Sequence, residues 1–368
     1  MPDLGESWQQ FGQRVISGDA HGPTAALVRA GLSIASPLYS LIMRARNARF
    51  DRGMGVRRLP RRVVSVGNIT TGGTGKTPVV RWLCERLRDA GQRPGILLRG
   101  YKANPGERGD EEAMLDAFLN SPGATARVPI VADPNRYRAG VRLLAANADV
   151  DLLVLDDGFQ HRRLARDFEL VLIDATNAFG FGHVLPRGLL REPLSGLRRA
   201  DAFLITRTDQ VDDARLTEIE RVLGQYNPAA PRYRCAHVHR ALRAANGASH
   251  ALDALAARRF FAVAAVGNPE GLDRQLRSLP GAYTGRRWFA DHHAFTPGDL
   301  AAIDRDARAA GADVILTTEK DWVKLAPHHP GMNDALPIWR LDLDLQFGGD
   351  DDDRLFAQIR ARLQSIPS

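Results

Sequence analysis

The sequence predicts an α/β protein: a mostly parallel sheet with helices on both faces, a smaller C-terminal α/β unit, and an N-terminal helix associated with a membrane. Three observations point to this fold. From Arg61 onward, short Val/Ile/Leu runs alternate with helical patterns, as in βαβ units around a buried parallel sheet. The length, 368 residues, exceeds the usual size of one hydrophobic core and favours two α/β-sized units. Upstream, Thr24 to Met43 reads TAALVRAGLSIASPLYSLIM, about as long as the roughly 20 apolar residues that cross a bilayer.

That N-terminal stretch makes a poor transmembrane helix, because Arg29 lies inside it and Pro37 would kink it. A helix lying in the interface fits better, with Leu27, Leu32, Ile34, Leu38, Leu41 and Ile42 entering the acyl boundary. Arg44, Arg46, Arg49, Arg52, Arg57, Arg58, Arg61 and Arg62 follow, set against Asp51 alone, and would hold anionic headgroups. The alternative is an amphipathic helix packed on its own domain, followed by a solvated basic linker. Met1 to Gly22 is polar and lacks a signal-peptide pattern, and by the positive-inside rule the arginine cluster, with the body of the protein, is expected on the cytoplasmic side of the membrane.

Composition narrows the function classes. Hydrophobic residues at 44% and charged residues at 25% exclude global disorder and a polytopic membrane protein. The formal charge of +7 and the pI near 9.8 call for an anionic partner. Nucleic acid is not expected, since Phe50 is the only aromatic among the clustered arginines and no RNA or DNA module is present. Cys84 and Cys235 match no disulfide or zinc spacing. Nothing in the sequence implies an obligate protein partner.

Three segments are expected: residues 1–60 as membrane-associated helix and basic linker, 61–225 as the main domain, and 226–368 as the smaller unit. Candidate strands in the main domain are Val63 to Val66, Gly95 to Leu98, Val128 to Ala132, Leu152 to Leu155, Leu170 to Ile173 and Ala202 to Thr206. Helices are expected at Thr77 to Ala90 and Asn135 to Asn147. Asp209 to Ser249 carries weak signals and reads as a joint. Phe260 to Val266, Val314 to Thr317 and Ile338 to Leu343 form the second half, closed by a helix from Asp353 to Leu363. The run GGDDDD at Gly348 to Asp353 reads as a solvated turn capping that helix.

The chemistry concentrates in VVSVGNITTGGTGKT, Val63 to Thr77: a buried strand, a glycine-rich turn, then Lys-Thr opening a helix. This is the context of a P-loop, and it makes the fold P-loop NTPase-like. Thr70, Thr71, Gly72, Gly73, Thr74 and Gly75 offer backbone N–H groups to the phosphates of ATP, Lys76 reaches the β/γ oxygens, and Thr77 places its hydroxyl on Mg²⁺. Thr70 stands where the strict pattern has its first glycine. Lys76 is one of four lysines among 50 basic residues, which suits a compact point charge at an anion. The alternative is a glycine-rich turn with a solvated lysine. Leu152 to Gly158, LLVLDDG, is an apolar strand ending in Asp156 and Asp157, a Walker-B arrangement for Mg²⁺. On an extended strand the two acids would face opposite ways.

With RGY at Arg99 to Tyr101, GDE at Gly109 to Glu111, LDDGFQHRRLARD at Leu155 to Asp167, LPRGLLREP at Leu185 to Pro193, DH at Asp291 to His292 and TEKD at Thr318 to Asp321, the chain resembles the tetraacyldisaccharide 4'-kinase family. The resemblance implies transfer of the γ-phosphate of ATP to an acylated glucosamine disaccharide 1-phosphate. It implies Asp110 as the base, supported by His292; Thr77, Asp156, Asp157 and Glu192 at the Mg²⁺ site; and Asn68, Arg99, Glu111, Gln160, His161 and Arg191 on the substrate side. The competing reading is a membrane-tethered P-loop switch without a lipid acceptor, faintly supported by TRTD at Thr206 to Asp209.

Overall fold

The structure, a computed structural model, describes residues 8–100, 109–120, 126–266, 269–290, 293–331 and 335–365. It divides into two compact units. One comprises Met1–Gly100, Leu119–Ala236 and Gln346–Ser368; the other comprises Tyr101–Phe118 and His237–Leu345.

In chain order, helices α1 (Trp8–Ser17) and α2 (Pro23–Asp51) precede β1 (Arg62–Asn68), α3 (Lys76–Asp89), β2 (Pro94–Leu98), α4 (Asp110–Leu119), β3 (Ile130–Ala132), α5 (Arg136–Ala146), β4 (Leu152–Asp156), β5 (Phe168–Asp174) and β6 (Ala202–Thr206). Next come α6 (Asp213–Tyr226), β7 (Arg232–Ala244), β8 (Ser249–Ala251), β9 (Arg259–Ala265), α7 (Pro269–Arg277), β10 (Ala282–Phe289) and α8 (Pro297–Ala309). The chain ends with β11 (Val314–Thr318), α9 (Glu319–Leu325), β12 (Ile338–Phe347) and α10 (Asp351–Gln364).

In the first unit the strands run parallel in the order β3, β2, β4, β1, β5, β6, with the start of β7 paired to β6. Strands β2, β4, β5 and β6 are buried along their whole length, as parallel strands covered on both faces must be. One apolar cluster packs α5 through Ala139 and Leu143 against Val63, Leu97, Leu153 and Leu155; another packs α6 through Leu216, Ile219 and Leu223 against Val171, Phe203 and Ile205. Beside β1, helix α3 buries Val79, Leu83 and Leu87 at helical spacing, with Pro78 tolerated in its first turn.

In the second unit β10, β9, β11 and β12 are parallel, and β8 pairs antiparallel with the end of β7. Alternate residues of β9 serve opposite cores: Phe261, Val263 and Ala265 pack with α8, whereas Phe260 and Ala262 pack with Leu276, Trp339 and Leu341.

Every strand expected in the sequence is present, but the expected joint at Asp209 to Ser249 holds α6 and the whole of β7. The missed strand reads RYRCAHVHRALRA, where the buried Tyr233, Cys235 and His237 alternate with Arg234 and Ala236, and a polar histidine on the buried face disguises a period of two. The GGDDDD run does start the last helix, yet not by a capping side chain. Asp351 accepts from the Arg234 N–H at 2.8 Å, Asp352 from Trp82 Nε1 at 3.0 Å and Asp353 from Arg86 Nη2 at 2.6 Å.

Helix α2 is continuous through Pro37, and among the described residues it alone is long and apolar enough to cross a membrane. One stripe is open, with Leu27 75% exposed and Ile34 80%, and continues through Leu38, Leu41 and Ile42. The opposite stripe grips the first unit: Ser36 Oγ donates to the Val184 carbonyl at 2.9 Å and Tyr39 Oη to the Arg191 carbonyl at 2.8 Å. Two expectations fail here. Leu32 packs on the Val15, Ala20 and Ala25 cluster of α1 and α2, and Arg29 donates to the Val15 and Ala20 carbonyls, because the helix is partnered on that side. Several of the basic residues are also engaged by the protein itself, Arg46 by the Gln160 carbonyl, Arg58 by Asp167 and Arg61 by the Val150 carbonyl, although Arg58 and Arg61 stay exposed, as do Arg44, Arg49 and Arg52.

Candidate active site

The glycine-rich turn follows β1 and ends on Gly75, whose φ of 80° and ψ of 30° are left-handed and cap α3. The turn is fastened from below. Thr71 N–H donates to the Leu189 carbonyl at 2.7 Å, Asn68 Nδ2 to the Thr70 carbonyl at 2.8 Å, Thr206 Oγ1 to the Thr74 carbonyl at 3.2 Å and Arg207 Nη2 to the Gly73 carbonyl at 2.8 Å. Those bonds occupy carbonyls, while the first N–H groups of α3 have no partner within the helix. A Cβ added at Gly72 or Gly73 would meet nothing within 4 Å, so the outer side of the loop is open.

Two further observations fit a phosphate in this cradle. Thr74 is 3% exposed, yet its Oγ1 has no hydrogen-bond partner among the described residues. Lys76 Nζ lies 3.4 Å from Asn68 Oδ1 and 3.5 Å from Asp157 Oδ1, long for a charge-assisted bond, so its ammonium is aimed but under-bonded.

Asp156 ends β4, buried, and pairs in register with Val66 of β1. Asp157 leaves the strand altogether. Its φ of 51° is left-handed, so a turn, and not strand alternation, separates the two carboxylates. Gly67 makes this turn possible, since a Cβ there would lie 2.5 Å from the Phe159 backbone nitrogen. Arg191 Nη1 donates to both oxygens of Asp157 at 2.8 and 2.9 Å. Burial pushes the Asp157 carboxyl up, but Lys76 and Arg191 together hold it below the usual carboxylate range, so it is ionised at neutral pH.

Gln160 links the parts. Its Nε2 donates to the Asn68 carbonyl at 2.9 Å and to Glu192 Oε1 at 3.1 Å, while its Oε1 accepts from Arg191 at 3.3 Å. Glu192 is fully buried, and both its oxygens accept from Arg199 Nη2 at 2.9 Å; Asn47 Nδ2 of α2 adds a bond of 2.6 Å. A metal at Glu192 would share its oxygens with these donors. Among the described residues no group of three or more His, Cys, Asp or Glu side chains could hold a metal by itself. Mg²⁺ does not require one, since it is commonly held by one or two carboxylates with substrate phosphates and water. Thr77, half-buried in the first turn of α3, joins Asp156 and Asp157 as the fitting set.

The sequence model of the Tetraacyldisaccharide-1-P 4'-kinase family matches residues 28–364. The chain belongs to this family. The tetraacyldisaccharide 4'-kinase of Anaeromyxobacter sp. (strain K) is 39% identical over 370 residues, covering 94% of each chain. That of Syntrophus aciditrophicus (strain SB) is 39% identical over 345 residues, covering 86% of this chain and 88% of the relative. The crystal structure of LpxK from Aquifex aeolicus in complex with ATP superposes with a TM-score of 0.71 at 28% identity, covering 91% of this chain and 99% of that one.

Within this tetraacyldisaccharide 4'-kinase family member, the remaining expected site residues fall in several places. Arg99 is exposed at the end of β2, and Glu111 is exposed in the first turn of α4. His161 is half-buried; burial, then the nearby Arg136, Arg166, Arg163 and Arg46, push its imidazole down to about 4, so it is neutral at pH 7. Asp110 opens α4 in the second unit, and Lys324 Nζ of α9 lies 2.7 Å from its Oδ2. His292 lies outside the described residues.

Sequence reasoning missed Asn47 and Arg199, which bond Glu192, Arg136, which lies near His161, and Lys324, which meets Asp110. Asn47 carried one signal, being polar on the same face of an apolar helix as Ser36 and Tyr39. Arg136, 3% exposed at the start of α5, and Arg199 carried none in a chain so rich in arginine.

Proposed function

We propose that this chain transfers the γ-phosphate of ATP to the 4'-hydroxyl of a tetraacyldisaccharide 1-phosphate, giving lipid IVA, with Mg²⁺ as cofactor. The supporting observation is the under-bonded Lys76 ammonium beside an ionised Asp157 in an open, Gly75-capped turn, in a member of a kinase family. The Aquifex aeolicus relative was crystallised in complex with ATP, and the glycine-rich turn is where this chain would receive it.

The loop N–H groups and Lys76 take the β/γ oxygens. Thr77, Asp156 and Asp157 would hold Mg²⁺, which would neutralise charge on the transferring phosphoryl group. Arg191 fixes Asp157, and Gln160 ties Arg191 to the strand bearing the loop. Asp110 accepts the proton as the 4'-oxygen attacks, with His292 as its relay. Asn68, Arg99, Glu111 and His161 complete the substrate side, His161 as a neutral hydrogen-bonding group.

The acceptor resides in a membrane, and the open stripe of α2 suits the anionic cytoplasmic surface of the inner membrane. Each of Leu27, Ile34, Leu38, Leu41 and Ile42 contributes up to about 1.5–3 kcal/mol on leaving water. Arg44, Arg49 and Arg52 meet the headgroups, at about 1 kcal/mol each near an anionic surface.

The test is direct. Purified protein is incubated with γ-labelled ATP, Mg²⁺ and tetraacyldisaccharide 1-phosphate in detergent. Label is expected in the lipid, with little phosphate release in its absence; slow hydrolysis with no labelled lipid would refute the kinase reading in favour of a switch.

A further inference from the structure

The TEKD motif at Thr318 to Asp321 has no part in the chemistry so far, yet the structure surrounds it with fixed contacts. Thr318 caps α9, accepting from Asp321 N–H at 3.2 Å and donating through Oγ1 to Asp321 Oδ2 at 2.7 Å. The same Oδ2 accepts from the Ala265 N–H at the end of β9, 3.0 Å away. Arg340 of β12 pairs with Glu319 at 3.1 Å, and Trp322 is buried among Phe261, Val263 and Ile315. A helix of two turns is therefore held to three strands, and Lys324 projects from it one turn beyond Asp321.

The Lys324 side chain is only 11% exposed, and its ammonium lies 2.7 Å from Asp110 Oδ2 and 3.4 Å from the His293 carbonyl. Asp110 keeps 39% of its side-chain surface exposed, so the carboxylate is held yet reachable. An ammonium this buried is costly unless paired, so the contact constrains both groups. Asp110 opens a helix whose first turn carries three consecutive acids, and Lys324 pairs with the first of them.

We propose that Lys324 is a positioning residue for phosphoryl transfer: it holds the Asp110 carboxylate in the orientation that receives the acceptor proton, and the TEKD turn exists to aim it. This rests on the reading of Asp110 as the base. A base displaced by about 1 Å loses roughly 10²-fold in rate.

The experiment is a double-mutant cycle on the full-length protein with the labelled-lipid assay. Lys324→Met is expected to lower kcat about 10–100-fold with KM for ATP unchanged, and Lys324→Arg to recover most of it. In an Asp110→Asn background, adding Lys324→Met should cost less than about twofold, because nothing remains to be positioned. Melting curves establish that each variant is folded, with Lys324→Gln replacing Lys324→Met should the latter not fold. Near-normal kcat in Lys324→Met, or losses that multiply in the double variant, would overturn the proposal. A near-normal rate in Asp110→Asn would instead overturn the base assignment, whatever Lys324 does.

Discussion

His161 offers a prediction whose size follows from its surroundings. In the unfolded chain its imidazole titrates near the ordinary 6.5; in the folded protein burial and the arginines around it bring this down to about 4. The neutral form is thus the one that folds. Above pH 6.5 both states carry neutral imidazole and the contribution is complete. As pH falls from 6.5 towards 4, the unfolded chain binds a proton that the folded protein does not, so stability declines over that window and levels off below it. The gap corresponds to about 3 kcal/mol at full weight; for a half-buried group we expect about 1–2 kcal/mol after allowing for solvent screening. The perturbation is His161→Asn, similar in size and without a titrating ring. The assay is urea denaturation of wild type and variant at intervals between pH 4 and 7.5, taking the difference in stability at each pH so that other carboxylates cancel. The wild type should lose about 1–2 kcal/mol more than the variant across the window. Parallel curves would refute the reasoning and with it the neutral state of the imidazole.

Further outcomes follow from the same contacts. Lys76→Met should abolish lipid labelling, because the P-loop then lacks its point charge; full activity would remove the loop from the reaction. Arg191→Gln should raise the Mg²⁺ concentration for half-maximal activity about 10–100-fold, since it frees the Asp157 carboxylate from both its bonds to the guanidinium; Mg²⁺ titration of activity checks this. Gly67→Ala should destabilise the protein by about 1–3 kcal/mol in a denaturant melt, because its Cβ would press on the Phe159 backbone. Ile34→Asp with Leu38→Asp should leave the purified protein folded but unable to float with anionic vesicles, whereas wild type should co-float; equal flotation would turn the open stripe of α2 away from the membrane.

Much of the site was legible because it is local. A β-strand, a glycine turn and a lysine opening a helix are contiguous, so Val63 to Thr77 announces its phosphate cradle without any tertiary knowledge, and alternating apolar runs mark each strand of the first unit. The orientation of each side chain was not legible. Asp157 was expected to diverge from Asp156 by strand alternation, but a left-handed turn does it. For Glu192, expected at a metal, no spacing disclosed that Arg199, Asn47 and Gln160 would bond its oxygens.

The sequence by itself determined the fold class, the phosphate loop, the acidic strand end and the apolar N-terminal helix, because short-range periodicity and turn chemistry depend only on neighbours along the chain. Only the tertiary structure decided which arginines serve the interior, which stripe of α2 is open, and that Lys324 meets Asp110. Those outcomes depend on burial. A buried charge must find an opposite partner wherever the fold delivers one, and no spacing in the chain encodes which residue arrives.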